Sequence, residues 1–323
     1  MPSKSPRSAL LPPSRFWRLL PLCCLAACAE SSPPTSGPGP APAEPALVEY
    51  LLDSEVVNES SGLARSQRRD DVLWTLNDSG GATSLYGITT EGRHVVTLDV
   101  QGALANLDWE DLASYTHDGV AYLLIGDIGD NSAFRPVTTF YRIVEPEVTI
   151  SDAVQSLSVT VDRIYTQAYP DGPRDAESLA VDGRDHMAYV LSKRDAQPML
   201  YRFPLDSLLP LPIALPGIME ALGPIEIPRA PADFSGNVDA FNWTTAMDFD
   251  DAGTMAYVGT PLNGYWYQRQ PDEDWISAMQ RAPRAFALPP YSQIEAGTFA
   301  RTDAATLYIT SENLPAPLAR LRP

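Results

Sequence analysis

Residues 175–203 read DAESLAVDGRDHMAYVLSKRDAQPMLYRF, and this stretch decides the fold. The stretch begins with acidic residues and a short segment of small residues. A turn, an apolar strand, a second turn and a strand rich in aromatic residues follow in that order. Short apolar runs between turn residues are typical of antiparallel strands. The same pattern returns about every fifty-five residues, with starts at 59–64, 108–113, 175–180, 246–250 and 295–300.

A repeat of this length with four strands in each unit predicts a β-propeller, in which each unit forms one blade. The fifth unit is one strand short, and the segment LVEYLL at 47–52 can supply it. We therefore expect an all-β, five-bladed propeller whose ring is closed by the N-terminal strand of the folded part. A sixth blade is possible because 205–243 is loosely patterned, and a β-sandwich with irregular insertions is the alternative. The outermost strands of the second and third blades are expected at 156–161 and 224–228.

The composition excludes several classes of protein. The chain has 323 residues, 44% of them hydrophobic, which is enough for a large core. It carries 41 acidic and 23 basic residues, for a net charge of -18. Because a phosphate backbone would be repelled by this charge, we expect no binding to nucleic acid.

The N-terminal residues predict export and a lipid anchor. Basic residues without any acid precede an apolar stretch at 19–27, which is typical of a signal peptide. The segment Leu25-Ala26-Ala27-Cys28 resembles the lipobox of bacterial lipoproteins, in which the cysteine sulfur carries the lipid. We expect a signal peptide at 1–27, lipidated Cys28 with a Pro/Ser-rich tether over 28–45, and a propeller domain over 46–323. The mature chain would have a net charge of -22, and the outer membrane is the expected location.

Four sequence segments resemble those of a broad WD40-like group of secreted bacterial propeller proteins: LNDSG at 76–80, DWED at 108–111, GDIGDN at 126–131 and DAESLA at 175–180. The resemblance covers about 230 residues and implies the propeller fold without an activity. A more distant resemblance to the esterase-like phytase propellers brings no transferable catalytic residue.

Acidic residues recur where the predicted inner strands begin. Aligning these strands places Glu59, Asp108, Asp175, Thr245 and Glu295 at one level, with Ser61, Glu110, Glu177, Met247 and Gly297 two residues further on. Residues i and i+2 of a strand share a face, so six carboxylates would crowd one channel mouth. Oxygen ligands without His or Cys suit Ca²⁺ best and Mg²⁺ second. The predicted metal ligands are Glu59, Asp108, Glu110, Asp175, Glu177 and Glu295.

The same acids have an alternative role, which is to fasten blade to blade by binding backbone N–H groups and basic side chains. Lys193 and Arg194 are the basic residues that could pair with them. The next strands offer further oxygen donors, at Asn77, Asp78, Asp127, Asp130, Asn131, Glu312 and Asn313.

The remaining motifs give little information about function. The loop at 126–131 is either a second cation loop or a tight loop held by its own side chains, and 248–253 lacks the last ligand of an EF-hand and is expected to be a turn. A protease triad is excluded because the histidines show no paired arrangement. Five tryptophans could line a groove but are expected in the core: Trp74, Trp109, Trp243, Trp266 and Trp275.

These observations leave two hypotheses for the function. The first is a cell-envelope lipoprotein whose propeller is a binding or scaffolding module for a protein or glycan, with a structural cation. The second is a calcium-dependent hydrolase of phosphoesters or lactones, with Asp108, Glu110 or Glu177 as general base. The fold does not separate them, because propellers host both kinds of function.

The anchor has a direct test. Replacing Cys28 by Ala removes the sulfur that would carry the lipid, so the protein should move from the membrane fraction to the soluble fraction of the cell. Fractionation and blotting of wild type and variant measure this change. Membrane association that persists in the variant would contradict the anchor.

Overall fold

The computed structural model describes residues 46–206 and 215–323. The predicted signal peptide, Cys28 and the tether lie outside these residues. Strands dominate the described part, and it contains one short α-helix, Trp275–Met279, and one 3-10 turn, Val238–Phe241. None of its helices is long and apolar enough to cross a membrane.

The described residues form twenty-two strands. In chain order they are β1 (Ala46–Leu51), β2 (Ser60–Arg65), β3 (Val72–Asn77), β4 (Ser84–Thr89), β5 (His94–Gln101), β6 (Trp109–His117), β7 (Val120–Asp127), β8 (Thr138–Val144), β9 (Gln155–Thr160), β10 (Arg163–Ala168), β11 (Ala176–Asp182), β12 (Met187–Ser192), β13 (Met199–Pro204), β14 (Gly217–Ile218), β15 (Glu220–Pro224), β16 (Ala246–Phe249), β17 (Met255–Gly259), β18 (Asn263–Gln268), β19 (Arg284–Ala287), β20 (Ile294–Ala300), β21 (Asp303–Ser311) and β22 (Pro317–Arg322).

These strands form five sheets, and the sheets are the blades of a β-propeller. From the inside outward the sheets run β2-β3-β4-β5-β9, β6-β7-β8-β10-β14, β11-β12-β13-β15, β16-β17-β18-β19 and β20-β21-β22-β1. The inner strands β2, β6, β11, β16 and β20 pack side by side, and β20 returns to β2. The five-bladed prediction is confirmed. A sixth blade is absent from the described residues, because β14 joins the second sheet and β15 the third.

The ring is closed as predicted, by the first strand of the folded part. β1 pairs antiparallel with β22 over six residues, from Ala46 opposite Arg322 to Leu51 opposite Pro317. Leu52 then donates its backbone N–H to the carbonyl of Ala316 at 2.8 Å. The two ends of the folded chain therefore share the fifth blade.

Two outer strands differ from the prediction. The segment expected at 156–161 in the second blade is β9, which pairs in parallel with β5 of the first blade, while β10 takes the fourth place in the second. The alternate residues Leu157 and Val159 pack against the core between these blades. This packing explains why β9 joins the first blade. In the third blade the outer strand ends at Pro224 instead of starting there, and Ile225 and Ile227 beyond it pack into the core between the third and fourth blades.

The inner strands are crowded at the axis. A Cβ added to Gly62 of β2 would stand 2.8 Å from the backbone nitrogen of Leu112 in β6. One at Gly297 of β20 would stand 2.5 Å from the ring of Tyr257. Only small residues allow this approach, and the large side chains pack further out between the blades. Four of the five tryptophans expected in the core belong to that packing, because Trp74, Trp109, Trp266 and Trp275 are buried. Trp243 differs from the expectation, since it is half-buried and lies beneath the guanidinium of Arg194 at 4.8 Å.

Candidate functional site at the acidic mouth

The acidic mouth is the end of the channel at which the five inner strands begin. Four of these strands carry a β-bulge at their second residue, which the pairing register skips: Ser61, Glu110, Glu177 and Glu295. A bulge leaves its extra residue unpaired and re-aims the side chain. Glu295 occupies the same bulge position as Glu110 and Glu177. The prediction that placed Glu295 level with Asp108 and Asp175 was therefore wrong by two residues, because the single acid of the fifth unit was matched to the first acid of the other two units instead of the second.

Lys193 follows β12 and ties two of these bulge residues together. Its ammonium forms an ion pair with Glu177 and lies 4.0 Å from Glu295 Oε1. Burial alone would lower the pKa of Lys193, but the two carboxylates outweigh burial and raise it. Lys193 therefore stays charged at the mouth, as the blade-fastening alternative requires.

The buried carboxyl groups of the mouth outnumber the positive charges beside them, and their pKa values are therefore raised. Burial raises the pKa of Glu177 to about 7, although Lys193 opposes the shift. Burial and the charge of Glu177 raise the pKa of Glu295 to about 9. Burial and Glu177 also hold the pKa of Glu110 well above its usual range. Without a cation, the mouth therefore keeps protons near neutral pH.

A second group of carboxylates lies beside the first and could hold a metal. Asp78, Asp108 and Glu110 each offer an oxygen, and these oxygens lie within 4.8 Å of one another. Asp78 and Asp108 are half-buried and Glu110 is buried, so the group opens toward solvent. Ser61 donates a hydrogen bond to Glu110 Oε2 at 3.0 Å. Burial and the charge of Asp78 raise the pKa of Asp108 to about 6.

The remaining predicted ligands are placed differently. Glu59 is exposed and stands outside this group. Asp175 accepts hydrogen bonds from Arg194 Nε at 2.5 Å and from the backbone N–H of Asp130 at 2.9 Å. Asp175 thus fastens the third blade to a loop of the second.

The loop at 126–131 is held by a guanidinium. Arg135 pairs with Asp127 at 2.6 Å and donates to the carbonyl of Gly129 at 2.6 Å. Gly129 itself lies against the group of Asp78, Asp108 and Glu110, since a Cβ there would stand 2.4 Å from Glu110 Oε1. One buried oxygen of Asp127, Oδ2, has no hydrogen-bond partner. The geometry is that of a tight loop whose backbone shapes the wall of the acidic mouth.

The segment at 248–253 is a turn between β16 and β17, as expected. Asp250 accepts hydrogen bonds from the backbone N–H groups of Thr254 at 2.6 Å and Met255 at 2.8 Å. This side chain closes the turn without a cation.

Exposed large apolar side chains lie in loops at the same end of the propeller as the acidic mouth. The loops at this end are those that precede the inner strands and those that join the second strand of a blade to the third. Of the thirteen large hydrophobic residues that are exposed among the described ones, seven lie in these loops: Val56, Leu104, Leu107, Phe134, Val238, Leu262 and Leu314. We call these seven residues the apolar rim. The sequence prediction did not include them, because their common face follows only from the topology.

The histidines also differ from the prediction. His117 ends β6 and His186 lies in the turn before β12, both at the end opposite the acidic mouth. Their rings stack with centroids 3.6 Å apart. The prediction that no histidines are paired was wrong, because the two residues meet only when the second and third blades pack side by side.

Comparisons with known proteins find a likeness only among solved structures. No family model matches it, and no curated protein matches it. Among solved structures, it is similar to the PQQ-bound form of the aldose sugar dehydrogenase from Streptomyces coelicolor, with 12% identity and a TM-score of 0.45. The match covers 87% of this chain and 99% of that one. This likeness is too weak to transfer an activity, and membership in the WD40-like group remains a prediction.

The raised pKa values predict how stability depends on pH. A carboxyl with a higher pKa in the folded than in the unfolded chain binds more protons when folded, so stability falls as pH rises between the two values. For Glu295 this window runs from 4.5 to about 9. In EDTA, the melting temperature should fall by roughly 5 °C or more between pH 5 and pH 8. Glu295→Gln keeps the shape of the protonated acid and should flatten the slope.

Glu59→Gln is the matched control, because it removes an exposed carboxyl at the same mouth. It should leave the slope as in the wild type. A wild-type melting temperature that rises across this window, measured by circular dichroism, would overturn the protonation scheme.

Proposed function

We propose that the chain is an exported lipoprotein of the bacterial cell envelope whose propeller binds a partner protein at the acidic mouth, with a Ca²⁺ ion in that mouth. One observation carries the proposal: a group of carboxylates that opens toward solvent and the seven exposed side chains of the apolar rim belong to the same end of the propeller. The anchor is the predicted lipid on Cys28, and the tether over 28–45 would join it to the first strand.

We infer the cation from the unfavourable electrostatic energy of carboxylates that have no positive partner. Asp78, Asp108 and Glu110 converge while Lys193 is already committed to Glu177. Like charges this close raise one another's pKa or recruit a cation. Carboxylate oxygens without imidazole or thiolate suit Ca²⁺, which takes six to eight ligands. Three side chains leave positions for water or for an oxygen of the partner.

The partner follows from the apolar rim. Exposed apolar side chains that cluster around a polar centre mark sites of interaction. The rim takes Leu104 and Leu107 from the loop before the second blade, Phe134 from within that blade, and Leu262 and Leu314 from the fourth and fifth blades. Aliphatic side chains spread over so much of the ring favour a protein surface over a glycan, since sugars would offer them little apolar area.

The cation is tested by thermal unfolding with Ca²⁺ against EDTA. If Ca²⁺ is present at about 100 times its dissociation constant, binding stabilises the fold by about 2.7 kcal/mol, or roughly 5 to 10 °C. Asp108→Asn and Glu110→Gln should each remove most of this shift. Glu59→Gln should retain it, and an equal shift in all four proteins would place the ion elsewhere.

The partner is tested by placing a photo-crosslinking residue at single positions of the protein in bacterial cells that produce it. Position 107 in the apolar rim should give a discrete protein adduct, whereas position 154, an exposed valine at the opposite end, should give none. Leu104→Glu and Asp108→Asn should each reduce the adduct at 107. Equal labelling at the two positions, or an adduct indifferent to both variants, would contradict a binding face at the acidic mouth.

A second candidate is the calcium-dependent hydrolase, because two carboxyls of the mouth titrate near neutral pH. Burial, with its neighbours, brings the pKa of Asp108 to about 6 and that of Glu177 to about 7. Groups with such values serve well as general acid or base. Glu110, hydrogen-bonded to Ser61, is the third candidate base. A Ca²⁺ ion beside Asp108 would polarise a phosphoryl or lactone oxygen.

This candidate predicts Ca²⁺-dependent hydrolysis in a screen of phosphoesters and lactones. The rate should rise with pH as the general base ionises, and for Asp108 this should occur below pH 6, because a Ca²⁺ ion beside the carboxylate lowers the pKa of about 6 that it has without metal. Asp108→Asn should lower the rate by about 100-fold or more, and Glu59→Gln should not change it. A complete screen without turnover above the uncatalysed rate eliminates the hydrolase and leaves the binding module.

A further inference from the structure

The end of the propeller opposite the acidic mouth holds a second cluster of ligand groups, from two neighbouring blades. His117 lies at the end of β6, His186 in the turn between β11 and β12, and Asp206 just after β13. One ligand atom from each lies within 4.8 Å of the others. The inner strands β6 and β11 pack side by side, and this packing brings together residues that are far apart in the sequence.

His186 is the fixed member of the cluster, and one of its nitrogens is unused. Its side chain is 6% exposed, and Nδ1 is hydrogen-bonded to the Asp206 carboxylate. Its Nε2 atom is buried without a hydrogen-bond partner. Buried ring nitrogens are nearly always paired, so an orphan indicates a group that is missing from the chain itself.

We infer that His117, His186 and Asp206 form a site for a Zn²⁺ ion. Two imidazoles and one carboxylate are the donor set that zinc takes in proteins, whereas the all-oxygen group at the acidic mouth suits calcium. Three protein ligands leave the fourth position of the tetrahedron to water. The propeller would thus carry two metal sites of different chemistry at its two ends.

Zinc requires a modest local rearrangement. Ligand atoms of a tetrahedral zinc lie about 3.4 Å apart, so the hydrogen bond between His186 Nδ1 and the Asp206 carboxylate must open as the metal enters, while the other donors, which lie within 4.8 Å of one another, adjust around it. A metal also lies in the plane of each imidazole that binds it, and the two rings are parallel in the stack. His117 must therefore rotate, which its one-third exposed side chain permits, and the exposed Asp206 can follow.

Arg142, a positive charge near His186, is already paired. Arg142 pairs with Asp162 through its Nε atom at 2.7 Å and lies over the ring of Tyr122 at 4.6 Å. Asp118, beside His117 with 3.5 Å between Nε2 and Oδ2, adds negative charge. The local charge thus favours a cation.

The experiment titrates zinc by calorimetry, in excess Ca²⁺, into the mature chain from residue 28 onward, without a histidine tag and with Cys28→Ala, so that no thiol competes for the metal. Cobalt then replaces zinc, because tetrahedral Co²⁺ absorbs strongly in the visible range. The wild type should bind one ion and give the tetrahedral spectrum. His117→Ala removes a partly exposed ligand and should weaken zinc binding by about 100-fold or more and abolish the spectrum. Asp206→Ala should also weaken binding.

His94→Ala is the matched control, because His94 is a half-buried histidine of the first blade outside the cluster. It should bind zinc like the wild type, and so should Asp108→Asn, which disables only the acidic mouth. Zinc binding that is unchanged in His117→Ala, or absent from the wild type at micromolar concentration, would overturn the site. Both results are independent of the proposed partner.

Discussion

The structure depends on how closely five inner strands approach one another around a single axis. At Gly62 there is no room for a β-carbon between β2 and the backbone of β6. Small residues therefore occupy the axis, and the large aromatic residues are displaced outward, where they fill the space between twisted sheets. Burial that stabilises the fold thus comes from packing between blades, and every blade needs both neighbours.

The same crowding shapes the acidic mouth. Where the strands begin, bulges release Glu110, Glu177 and Glu295 from the pairing register. These carboxyls share the mouth with Lys193, whose single positive charge cannot neutralise them all. The excess is held as bound protons or compensated by a cation, and the choice between the two couples this site to pH and to metal.

Much of the fold is predictable from local pattern, and much of the site is not. The closing strand was found because 47–52 is a short apolar run that the last unit lacks. The strands at 155–160 and 163–168 both alternate, so nothing local tells which blade each one joins. Asp108 and Glu110 were predicted at the mouth, but the level of Glu295 depends on a bulge. His117 and His186 meet only through blade packing.

The shared fifth blade also sets how the domain would bear force. The first described strand starts at Ala46, and β1 runs from the end opposite the acidic mouth toward the mouth. Tension between a load held at the mouth and the chain before Ala46 would run roughly along β1. Such tension shears the β1–β22 ladder, so its six residue pairs resist together instead of opening one by one. The closure that completes the ring would then be the mechanical clamp of the domain.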